Sequence, residues 1–107
     1  MTLSDERAAR NETLFREVNE EVARLERRLE GGAPQFVCEC AAESCLERIT
    51  VPLAAYEQIR SHPRRFVLKP GHEQESLERV VESERGYIVV EKVAEAGAVA
   101  ERTDPRS

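Results

Sequence analysis

Three cysteines stand within eight residues, Cys38-Glu39-Cys40 and then Cys45, and the chain has no other cysteine. Such a C-x-C-x4-C cluster gathers soft, deprotonable sulfur donors of the kind zinc selects. Side chains two apart on an extended segment emerge on one face, so Cys38 and Cys40 can converge on one ion. A four-residue turn then returns Cys45 opposite them, giving a hairpin knuckle with three ligands. The fourth must come from a distance. His72 follows the turn Pro70-Gly71, where a backbone bend can aim its ring inward, and it is the preferred candidate. His62, beside Pro63, better suits the C-terminal end of a short helix. Glu43 or Glu73 could substitute as an oxygen ligand. Cys38, Cys40, Cys45 and His72 together would hold one structural zinc, a closed set with no position left for substrate or water. Lone buried cysteines are ordinary core residues, but three beside Glu39 and Glu43 fit that role poorly. The same thiolates also suit a redox sensor that releases zinc on oxidation. A catalytic zinc would need a water as fourth ligand and Glu39 or Glu43 as base, and neither lies in a recognisable catalytic pattern.

The elements that must position this cluster follow from periodicity. Ser4 can cap a helix, with Asp5 and Glu6 in its first turn, and Gly31-Gly32 followed by Pro34 ends it. Ala8, Phe15, Val18, Val22, Leu25 and Leu29 form one apolar stripe, with Asn11 the polar place in its register. A helix of this length is a rod of roughly 39 Å, longer than a thin domain covers. Phe15, Val18, Val22, Leu25 and Leu29 are therefore the candidate partner-binding surface, for another protein or for a homodimer, unless the helix packs along its own domain.

From Gln35 the period becomes two. Residues 35–40 read as a strand with Phe36, Cys38 and Cys40 on one face, and residues 45–51 as its return, with Cys45, Glu47, Ile49 and Val51 aligned. Pro52 suits a helix start, and Leu53, Tyr56 and Ile59 give it an apolar stripe. A third strand over 65–69 ends at Pro70-Gly71, and residues 77–83 and 87–93 form a hairpin about Gly86. Residues 94–107, small and polar, read as a disordered tail. The expected fold class is α+β: a long N-terminal amphipathic helix (1–32), then a small zinc-binding domain (33–93) of knuckle hairpin, short helix and small antiparallel sheet.

Composition narrows the function. The chain of 107 residues is 35% charged, lacks Trp and carries a net charge of −5, so its core is thin and a metal staple would matter. No basic lead with an apolar run opens the sequence, and the cysteine number is odd, which points to a reducing, cytoplasmic setting without a membrane span. Arg48, Arg60, Arg64 and Arg65 could form a small positive patch around the middle helix, but the acidic flanks disfavour nucleic acid. Ser44 and the two histidines suggest no nucleophile arrangement. The expectation is a non-enzymatic, zinc-stabilised protein-interaction or regulatory module.

The stretch Phe36-Val37-Cys38-Glu39-Cys40 with Cys45, Glu47 and Ile49 continues to Glu57-x-x-Arg60-x-x-Pro63-x-x-Phe66 and Pro70-Gly71-His72. Together with Arg10-Asn11-Glu12 near the start and Tyr87-x-Val89-Val90 near the end, it resembles a group of small actinobacterial proteins with no established activity. The resemblance spans roughly residues 7–93, implies one coherent module and favours His72 over His62 as fourth ligand. Pro52 departs from it, where a capping Thr or Ser would be expected.

Overall fold

The change of period at Gln35 separates two kinds of structure. In a computed structural model, residues 3–29, 34–40, 45 and 47–106 are described, with side chains of the first helix described over 9–28. Helix α1 (Leu3–Leu29) is followed by β1 (Gln35–Val37), β2 (Arg48–Thr50) and α2 (Leu53–Arg60). Then come β3 (Arg65–Leu68), β4 (Glu78–Glu84), β5 (Tyr87–Lys92) and α3 (Ala94–Arg102). This is the expected α+β class. The Ser4 cap, the side chains of Ala8 and Leu29, the Gly31-Gly32 stop, the 41–44 turn and Glu43 lie outside the described residues.

Strands β1 and β2 form an antiparallel pair with Phe36 opposite Ile49. A separate antiparallel sheet has the order β3-β5-β4, with Phe66 opposite Val90 and Val67 opposite Val89. Gly86, at φ 92°, supplies the left-handed residue of the β4–β5 turn. Because side chains alternate along a strand, this sheet has two apolar faces. Val67, Tyr87 and Val89 pack with Phe36, Ile49, Val51, Tyr56 and Ile59. Phe66, Leu68, Ile88 and Val90 face the other way and pack with Ala100, Cys38 and Cys40. In the first layer the rings of Phe36 and Tyr56 stack, with centroids 4.2 Å apart and planes 10° from parallel.

Two expectations are corrected. Residues 94–107 are not a disordered tail: they contain α3, with Gly97 and Ala100 buried. Alanine, which made the segment look featureless, is the strongest helix former, and the small side chains let α3 lie close to the sheet. Beyond the helix, buried Asp104 pairs with buried Arg60, and Arg106 pairs with Glu20 and Glu57. The second strand is also shorter than expected, so Cys45 and Glu47 precede β2 rather than belong to it.

Helix α1 docks through a polar face. Glu12, Arg16, Asn19 and Glu20 are buried alongside Ala23. Phe15 and Val22 are half-buried, Val22 against the first apolar layer. Val18 and Leu25 of the predicted stripe remain 40% and 56% exposed, and Leu14 54%. Charge satisfaction decides the packing. Lys92 lies buried between the carboxylates of Glu12 and Glu78. The Arg16 guanidinium donates to the carbonyls of Pro63 and Ala100, each at 2.8 Å, and lies 4.1 Å from the Phe66 ring centroid. Glu20 accepts from the Tyr56 hydroxyl at 3.0 Å.

Candidate metal centre

Three backbone devices bring the four ligand candidates together. First, the Cys38 N–H donates to the Glu47 carbonyl at 3.0 Å, extending the β1–β2 ladder one step past β1. Second, the next residue leaves β2 and joins β3: the Glu39 N–H donates to the Val67 carbonyl at 2.9 Å. Third, β3 ends in a β-turn in which the His72 N–H donates to the Lys69 carbonyl at 3.1 Å. Pro70 and Gly71 are its central residues, and Gly71 has φ 91°, the positive value a type II turn demands at that position. The Pro-Gly pair thus places the imidazole beside Cys38 and Cys45.

The donor atoms of Cys38, Cys40, Cys45 and His72 all lie within 4.8 Å of one another. His72 Nδ1 stands 3.6 Å from the sulfurs of both Cys38 and Cys45. Zinc–sulfur bonds near 2.3 Å and zinc–nitrogen bonds near 2.05 Å, at tetrahedral angles, require a sulfur–nitrogen separation of about 3.6 Å. The residues therefore fit a four-coordinate metal. Cys38 and Cys40 are buried, Cys45 and His72 half-buried, so the centre is anchored in the second apolar layer and opens toward solvent on one side.

The surroundings of Cys38 disfavour its thiolate form. Burial pushes the Cys38 thiol up from its usual range, and neighbouring Cys40 and Cys45 push it further. The Lys69 N–H, donating to Cys38 Sγ at 3.1 Å, works in the opposite sense by stabilising a thiolate. A divalent ion would reverse the balance, since a coordinating thiol is deprotonated outright.

His62 is not part of the cluster; it is exposed just beyond α2, where its N–H donates to the Ile59 carbonyl. Glu39 is not poised as a base either. Fully buried, it points away from the sulfurs and accepts from Asn19 Nδ2 at 2.8 Å and from the Val67 N–H at 2.9 Å. Asn19 was not distinguishable from the sequence, yet its amide also exchanges two hydrogen bonds of 2.8 Å with the backbone of Val37. It completes the outer edge of β1 as a neighbouring strand would. The suggested positive patch is largely neutralised: Arg60 is buried with Asp104, Arg64 pairs with Glu101 and Arg65 with Glu91.

Among the described residues no helix is long and apolar enough to cross a membrane. No protein-family model matches the chain, and no curated protein or solved structure shows significant similarity to it. The geometry of the centre therefore carries the functional reading.

Proposed function

We propose that Cys38, Cys40, Cys45 and His72 bind one structural zinc, and that the protein is a non-enzymatic interaction module presenting the outer face of α1 to a protein partner. The observation that carries the first part is the closure of the donor set, four atoms within 4.8 Å of one another. Three sulfurs and one nitrogen suit zinc among common cations, and two of the sulfurs lie at the tetrahedral distance from the nitrogen. When bound, zinc would hold the cysteines as thiolates and tie the β1–β2 hairpin to the turn after β3. With all four positions taken by protein, the ion has no site for a substrate or an activated water. The exposed Leu14, Val18 and Leu25 support the second part.

Elemental analysis of purified protein tests this reading. About one zinc per chain is expected, lost in Cys38→Ser and in His72→Ala. A fully folded preparation that neither contains nor takes up metal overturns it.

A second reading, zinc release on oxidation of the thiolates, is favoured by the half-buried Cys45 and His72. Two thiolates would give two electrons to hydrogen peroxide, forming one S–S bond and, with two protons, two waters. Retention of zinc at high peroxide would remove this option.

A further inference from the structure

The four donors of the metal centre divide into an inner and an outer pair. Cys38 and Cys40 are 1% and 2% exposed and sit in the second apolar layer with Phe66, Leu68, Ile88 and Val90. The segment that carries them is held twice, by the Cys38 N–H on the Glu47 carbonyl and by the Glu39 N–H on the Val67 carbonyl. Cys38 Sγ also accepts the Lys69 N–H at 3.1 Å. Cys45 differs in each respect. It precedes β2, is half-buried, and packs against the layer without being enclosed by it. His72, the other half-buried donor, supplies a neutral nitrogen, so Cys45 is the one sulfur of the outer pair.

Three thiolates and a neutral imidazole around a divalent cation leave the centre with one net negative charge, and that excess resides on sulfur. The thiolate is the nucleophilic form of cysteine, so each sulfur stays reactive toward an electrophile that reaches it. Reaching Cys38 or Cys40 requires a local opening of the apolar layer, at a cost in free energy. Reaching Cys45 requires none. Access, rather than sulfur chemistry, therefore ranks the three.

We infer that Cys45 is the modification site of the centre: a small carbon electrophile from solution adds to its sulfur and opens the donor set, while Cys38 and Cys40 are spared. In that step an electron pair on Cys45 Sγ forms an S–C bond, and the leaving group departs with the pair of the bond that breaks. With iodoacetamide the leaving group is iodide. The product is a neutral thioether without the charge that made Cys45 a metal ligand, so three donors remain of four. This rests on the structural-zinc reading and deepens it by naming the sulfur at which the ion is lost.

Full-length, zinc-loaded protein treated with limiting iodoacetamide tests it. Labelled positions are mapped by peptide mass spectrometry, and freed zinc is followed with a chromogenic chelator. Label should enter Cys45 at least about tenfold faster than Cys38 or Cys40, with zinc appearing at the rate of Cys45 labelling. Cys45→His keeps four donors but presents no outer sulfur; it should hold zinc and release it at least about tenfold more slowly under the same reagent. First labelling at Cys38 or Cys40 overturns the inference and leaves the structural zinc standing. Labelling of Cys45 with the ion retained does the same, as does a histidine variant that releases zinc as fast as the wild type. The mapping needs only the wild type, so it decides the matter whether or not the histidine variant takes up zinc. A preparation that binds no zinc at all overturns the structural-zinc reading itself, and this inference with it.

Discussion

Between Cys38 and Cys40 the side chain of Glu39 turns the other way, so one short segment serves two chemistries. The sulfurs face the metal centre, while the carboxylate faces Asn19 on α1 and the Val67 N–H. Burial raises the Glu39 pKa, and those two hydrogen bonds oppose the rise. Asn19 thus joins the helix to the segment that carries two ligands. Replacing it by Ala leaves the Val37 backbone groups and one Glu39 oxygen without their partner, each a costly loss in a buried setting. Asn19→Ala should lower unfolding free energy by about 3 kcal/mol in urea titrations, while the folded fraction keeps its full zinc content. That these four candidate ligands come together was legible in the sequence because three lie within eight residues and the fourth follows a Pro-Gly turn. Asn19 was not, because its partners lie at Val37 and Glu39, and a polar residue on a helix carries no mark of distant acceptors.

At the scale of elements, α1 shows where periodicity stops being informative. The pattern gave its length and its apolar stripe, but the docked side was chosen by buried charges whose partners come from β4, β5 and α3. Around Lys92 two carboxylates share one ammonium. Burial pushes Glu12 from 4.5 up to about 7, Glu78 adds to the rise, and Lys92 opposes it. Between pH 4.5 and 7 the folded chain therefore holds a proton on Glu12 that the unfolded chain has released. Its contribution to stability then falls as pH rises through that window. Glu20 acts in the opposite sense. Burial pulls it upward, but Arg106, Tyr56 and Arg60 hold it below the usual carboxylate range, so its contribution is lost only on acidification below that range. Since zinc ligation strengthens as pH rises, the Glu12 effect is best read as a difference. Subtracting Glu12→Gln from wild-type urea midpoints across pH 5 to 8 should leave a declining curve. A flat difference would contradict this account of the buried cluster.

For the whole molecule, the candidate metal centre and the C-terminal segment lie at two sides of the fold. The proposed zinc would link the hairpin to the three-stranded sheet, and α3 covers the second face of that sheet. Removal of the proposed zinc by a chelator should therefore loosen the Cys38–Cys40 segment and the 69–72 turn first, visible as faster amide exchange at Glu39 and His72 than at Val89. Ending the chain after Val93 should cost at least about 3 kcal/mol, because Arg60 would lose Asp104 and Arg16 the Ala100 carbonyl. A disordered tail could be removed without loss, so a urea titration of the truncated chain discriminates. This segment was illegible in the sequence because its alanines and glycine read alike in a tail and in a closely packed helix. The polar seat of α1 has a calorimetric consequence as well. Unfolding raises heat capacity through exposed apolar surface and lowers it through exposed polar surface, and much of what α1 uncovers is carboxylate, amide and guanidinium. The increment should fall below the usual value of about 12–15 cal/mol/K per residue, flattening the stability curve and spreading the working range of the fold over a wider span of temperature.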